Sequence, residues 1–65
     1  MPQTIVRVRA TNGQWRVDRN GTVVTRLPVR EDALAVARAL ASRDHGFLIA
    51  EDRTGRLVER DDYHR

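Results

Sequence analysis

The side chains of this chain that can do chemistry are overwhelmingly guanidiniums. All twelve basic residues among the 65 are arginine, and cysteine is absent. Four of them, Arg7, Arg9, Arg16 and Arg19, lie within one short segment. A guanidinium stays charged and presents a planar fork of donors that matches phosphate or carboxylate. Such a group binds anions; it does not shuttle protons. The other candidates are sparse. Ser42 is the only serine, and no Ser/His/Asp arrangement or glycine-rich phosphate loop follows a strand pattern. Glu51, Asp52 and Glu59 are carboxylates that a last hairpin can bring together, but carboxylate pairs need a pocket to separate their pKa values. Asp61, Asp62 and His64 are close in sequence without a rigid shell to orient them on a metal. His45 stands at a helix end, where a cation suits the dipole. The reading is non-enzymatic, with no cofactor, no metal and no small-molecule substrate.

Two Asn-Gly pairs, Asn12-Gly13 and Asn20-Gly21, position the arginines. Each supplies the two φ > 0 residues of a tight hairpin turn. The spacing predicts strands over Thr4–Ala10, Gln14–Arg19 and Thr22–Leu27, rich in Val, Thr, Ile and Trp. Pro28 removes a backbone donor and ends the third strand. A two-residue loop at 12–13 sets Ala10 opposite Trp15, Arg9 opposite Arg16, Val8 opposite Val17 and Arg7 opposite Asp18. The loop at 20–21 sets Val17 opposite Val24, Arg16 opposite Thr25 and Asp18 opposite Val23. Alternation then sorts the faces. Val6, Val8, Ala10, Trp15, Val17 and Val24 fall on a core face, with Arg26 beside the Trp15 indole. Ile5, Arg7, Arg9, Gln14, Arg16, Asp18, Val23, Thr25 and Leu27 fall on the other.

The remaining elements follow from periodicity. Ala33, Val36, Ala37, Leu40 and Ala41, widened by Leu34, recur at helical spacing over about Arg30–Asp44. Glu31 and Asp32 at its start and Arg43 at its end suit the macrodipole, and Gly46 serves as its stop. Phe47–Ala50 reads as a strand buried on both faces, with Phe47 and Trp15 in the core. Asp52–Gly55 is a turn, and Arg56–Arg60 an edge strand. Residues 61–65 read as a fraying polar tail. The expectation is an α+β domain over 1–65, ordered β-β-β-α-β-β. It is an antiparallel three-stranded meander plus a C-terminal hairpin, with one helix packed on one face of the sheet.

Size and charge bound the function. A 65-residue chain builds one small, marginal core. Disulfides and metal being excluded by composition, a homodimer is the remaining way to add stability. No apolar run approaches a membrane span, and no signal-peptide pattern opens the chain, so it reads as cytoplasmic. The first 30 residues carry six arginines against Asp18 alone, whereas the remainder carries six against eight acids. Such asymmetry marks either an anionic partner or two halves that neutralise each other.

Arg9 facing Arg16 is a like-charge cross-strand pair, which destabilises a sheet by some tenths of a kcal/mol. Two explanations stand side by side. The pair awaits an anion, or it is relieved within the fold by water or by an acid from the second half. The first gives a module that binds DNA or RNA through Arg7, Arg9, Arg16 and Arg19. The second leaves a structural or protein-interaction domain that self-associates through Ile5, Val23 and Leu27.

One pattern is familiar: Trp15-Arg16-Val17 after a turn, the alanine-rich helix Asp32–Ala41, Phe47-Leu48-Ile49, Gly55-Arg56-Leu57, and Tyr63 near the end. Over about residues 5–63 it resembles a family of short bacterial proteins, the domain-of-unknown-function family numbered twenty-one eighty-eight. The resemblance implies this element order in a small stand-alone domain. It brings no activity, cofactor or catalytic residue.

Overall fold

The computed structural model of the chain describes residues 3–63. Its elements are β1 (Ile5–Thr11), β2 (Gln14–Arg19), β3 (Thr22–Leu27), α1 (Arg30–Arg43), β4 (Phe47–Glu51) and β5 (Leu57–Asp62). They form one helix and a five-stranded mixed sheet of order β3-β2-β1-β4-β5. The α+β class and the element order are as the sequence led us to expect. Asn12, Gly13, Asn20 and Gly21 all have positive φ, so both hairpins turn at the Asn-Gly pairs. Asn20 does more than turn. Its backbone N–H donates to the Ile5 carbonyl at 2.9 Å, and its side-chain Oδ1 accepts the Ile5 N–H at 2.8 Å. After α1 the chain inserts β4 beside β1 in parallel, and β5 returns antiparallel to β4.

The core is a thin apolar layer between α1 and one sheet face. Val6, Val8, Val17, Leu48, Ala50, Ala33, Ala37 and Ala41 are completely buried, with Trp15 and Leu34 nearly so. Alanines four residues apart give α1 a flat contact surface, which lets its backbone approach the β-branched side chains of the strands. Each fully buried Val or Leu contributes about 1.5–3 kcal/mol. Ordering each residue's backbone costs about 1–2 kcal/mol. So few large apolar side chains leave little surplus, and each must face the helix.

That demand overrides the register expected for β3. Asp18 pairs with Val23, as the turn dictates, but Val17 pairs with Thr25, Arg16 with Arg26 and Trp15 with Leu27. Val24 is therefore the extra residue of a β-bulge and stands exposed. Without the bulge, Arg26 would point at the helix beside Trp15 and Leu27 at water. With it, Leu27 packs against the core and Arg26 faces outward. The Trp15 ring is instead met by Arg30 of α1, whose guanidinium carbon lies 5.5 Å from the ring centroid.

Three further expectations are corrected. β4 is covered on one face only: Leu48 and Ala50 are buried, whereas Phe47 and Ile49 are half-buried on the opposite side. Of the tail expected to fray, residues 61–63 do not, because β5 runs to Asp62 and the Tyr63 N–H donates to the Gly46 carbonyl at 2.9 Å, and residues 64–65 lie outside the described residues. Tyr63 also packs against the core. Finally, the helix stop is divided between two residues. His45 adopts the left-handed conformation at φ 52°, and its N–H donates to Ser42 O while the Gly46 N–H donates to Ala41 O. This is the Schellman arrangement with histidine where glycine is usual. Gly46 has ordinary φ; it is required because a methyl there would overlap the Thr4 carbonyl. That carbonyl accepts the Phe47 N–H at 2.9 Å, which starts β4 against β1.

The two positions therefore respond oppositely. Gly46→Ala should lower unfolding stability by about 1–3 kcal/mol, because backbone must move to admit the methyl. His45→Gly should raise it by roughly 0.5–1 kcal/mol by removing a left-handed side-chain-bearing residue. Urea unfolding of both variants measures the pair of shifts.

Candidate nucleic-acid interface

The helix covers one face of the sheet and leaves the other open. The register assigns Arg26, Arg16, Asp18, Arg7, Arg9, Ile49, Phe47, Glu51, Arg60 and Asp62 to the open face. Arg9, Arg16 and Arg26 are consecutive partners across β1, β2 and β3. The like-charge pair expected from sequence is thus a three-arginine rung, and Arg26 is its missed member. The signal for it was present: the doublet Val23-Val24 breaks the alternation that a regular third strand would need.

The rung is largely relieved from within. Arg16 wraps Asp18, with Nη2 donating to Oδ2 at 3.1 Å and Nε standing 2.9 Å from Oδ1. The second contact is close but its N–H is not directed at the oxygen, so Arg16 Nε and Asp18 Oδ1 are buried without an aligned hydrogen bond. The Asp18 side chain retains only 8% of its exposure. Arg9 approaches Glu51 across the β1–β4 pair at 3.5 Å. An acid from the second half therefore sits beside Arg9, one of the two explanations the sequence left open. The Arg7–Asp18 cross-strand positions are opposite each other as expected, but the Asp18 carboxylate is taken by Arg16.

Arg19 leaves the group. It shares the helix side of β2 with Trp15 and Val17, and its Nε donates to Asp44 Oδ2 at 2.7 Å. That bond holds the Asp44 carboxyl below its usual range, with Arg43 adding a second contact at 3.3 Å. Leu27 likewise belongs to the core side, so it does not join Ile5 and Val23, which are exposed on the open face. The arginines that keep the open face basic are Arg7, Arg26 and Arg60, none of which has a carboxylate partner among the described residues.

The acids considered for catalysis or metal binding are dispersed. Glu51 faces Arg9. Asp52 closes its own turn by accepting from Thr54 N, Thr54 Oγ1 and Arg56 N, and these donors hold its carboxyl low, the Thr54 hydroxyl foremost. Glu59 accepts from Arg38 Nη2 at 2.7 Å, which lowers its pKa, while its hydrogen bond to Asp61 raises that of Asp61. Asp61 and Asp62 are consecutive in β5 and so point to opposite faces. His64 lies outside the described residues. Among the described residues no group of three His, Cys, Asp or Glu is placed to hold a metal, and no helix is long and apolar enough to cross a membrane.

Beside the basic residues the open face carries an apolar depression of about 300 Å³, lined by Ile5, Phe47, Ile49, Leu57 and Arg60. A small α+β domain with one sheet face closed by a helix and the other left open, mixed basic and apolar, is the class that fold and site define. Residues 5–63 match the family model described as uncharacterized protein conserved in bacteria, DUF2188, and the chain belongs to that family. No curated protein and no solved structure matches it.

Arg16 is a structural group as much as a surface one. Arg16→Ala should cost about 1–3 kcal/mol in denaturant unfolding by stranding the buried Asp18 carboxylate. Removing both partners, Arg16→Ala with Asp18→Ala, should cost less than the two single losses added together.

Proposed function

We propose that this protein is a non-enzymatic binding module whose open sheet face engages nucleic acid. The observation that supports this most directly is the set Arg7, Arg26 and Arg60, guanidiniums without a carboxylate partner among the described residues, on the sheet face opposite the helix. Phosphodiester oxygens are the complementary acceptors, and their attraction is strong at low salt. Arg9 and Arg16 contribute to the field of the face while anchored to Glu51 and Asp18. Their pairing keeps them in position; it also makes them poor choices for a binding test, since their loss disturbs the fold.

Fluorescence anisotropy against mixed-sequence oligonucleotides tests the reading. Binding should fall steeply as salt rises from about 50 to 200 mM. The double variant Arg7→Gln, Arg26→Gln should weaken binding and reduce the logarithmic salt slope by about 1.4–1.8, the value for two lost phosphate contacts. No binding at about 50 mM salt would overturn the proposal.

A second reading is favoured by the exposed apolar residues Ile5 and Leu57 beside Phe47 and Ile49, with exposed Val23 across the same face on β3. Two copies meeting through this face would cover them, and a small core gains from such a partner. Sedimentation equilibrium at high micromolar concentration should then give twice the chain mass, falling to the single-chain mass in Ile5→Lys. A single-chain mass for the parent protein would remove this reading.

A further inference from the structure

We infer that the nucleic acid the open face takes is single-stranded, with Phe47 as the platform for one base. This rests on the nucleic-acid reading above and narrows it. Two observations carry it. The first is width. Adjacent strands lie about 4.8 Å apart, so the sheet spans roughly 19 Å from β3 to β5. A B-DNA major groove is about 12 Å wide. The arginines occupy positions from β3 across to β5, so the sheet face as a whole does not enter the groove, whereas a single strand can lie across it.

The second is the placement of Phe47. It is an aromatic residue held on the open face of a central strand, flanked in register by Ile5 and Asp62. The next rung along the same face is Arg7, Ile49 and Arg60. Phe47 thus has to each side of it a guanidinium with no carboxylate partner among the described residues, Arg7 on β1 and Arg60 on β5, and borders the depression it shares with Ile5, Ile49, Leu57 and Arg60. A base stacked on the ring would place its flanking phosphates toward Arg7 and Arg60. Aromatic stacking combined with a basic track is the way single strands are held without regard to sequence. Duplex DNA offers no exposed base face for Phe47 to use. Phe47, half-buried on the open face, adds nothing to the helix-side core, where Leu48 and Ala50 already fill the layer.

The test compares oligo(dT), oligo(U) and a mixed-sequence duplex by anisotropy at about 50 mM salt, with Phe47→Leu and Phe47→Trp. Leucine keeps the apolar contact with Ile5 and Ile49 and removes the π face. We expect single strands to bind at least five-fold tighter than duplex. Phe47→Leu should weaken single-strand binding about five-fold or more, the lower end of stacking losses, with the salt slope unchanged. Phe47→Trp should restore it. Duplex binding equal to or tighter than single-strand binding, or a Phe47→Leu variant with unaltered affinity, would overturn this inference and leave the basic-face reading intact. Absence of binding to every probe would overturn both. Circular dichroism of each variant confirms that the fold is retained before affinities are compared.

Discussion

A single helix can close only one face of a five-stranded sheet, and that asymmetry governs the rest of the structure. The apolar residues are few, and the three alanines and one leucine that α1 buries leave room for only one layer of strand side chains. Which way each strand residue points is therefore decisive. The bulge at Val17/Asp18 follows from this constraint. It breaks the ladder at Val24 and exposes a valine, a loss of roughly one side chain's burial. In return it turns Leu27 inward opposite Trp15 and keeps a guanidinium out of the apolar layer, where an unpaired charge is far more costly. The hydrophobic pattern wins over the register that the Asn20-Gly21 turn alone would impose.

The same rearrangement builds the basic rung and then tempers it. Three arginines in line would repel one another, so the like-charge pair first suggests an awaiting anion. Asp18 and Glu51 supply another explanation: one is almost fully buried under Arg16, the other stands beside Arg9. Repulsion between Arg9 and Arg16 is consequently not the argument for a ligand. What argues for one is the charge left after these pairs form among the described residues, at Arg7, Arg26 and Arg60. Internal pairing also explains how a face dense in guanidiniums coexists with a small core. Surface pairs contribute little individually, but the buried Asp18 makes the Arg16 fork part of the fold.

Much of this was legible in the sequence because local rules decided it. Asn-Gly turns fixed β2 and β3 to the residue and set the β1–β2 register, and alanine periodicity marked α1. What escaped the sequence depended on competition between distant parts. The bulge needed Trp15 and Leu27 to be weighed against the turn. Phe47 looked like core because it begins an apolar run, but β4 lies against a helix that covers one face only, so alternation within the run divides it. Gly46 looked like a left-handed cap, yet the constraint on it comes from Thr4, far away in sequence. Arg19 looked like part of the basic face, whereas the helix end at Asp44 captures it. The acids that neutralise Arg9 and Arg19 come from the second half: Glu51 meets Arg9 only once β4 has inserted beside β1, and Asp44 meets Arg19 only once the end of α1 has packed over β2.

The open face also sets a limit on how the two proposed uses relate. Ile5, Phe47, Ile49 and Leu57 are the surface a second copy would cover, and Phe47 is the surface a base would stack upon. The two occupants compete for the same side chains. Mass action then links them: whatever binds the single chain through this face draws the equilibrium away from a face-to-face dimer, by an amount set by its own concentration and affinity. Charge favours the polyanion in that competition. Two copies meeting through this face bring Arg7, Arg26 and Arg60 of each into one interface, with the Glu51 and Asp18 carboxylates already taken by Arg9 and Arg16. A phosphodiester strand supplies the missing counter-charge at every step, while the apolar contact around Phe47 is available to either partner.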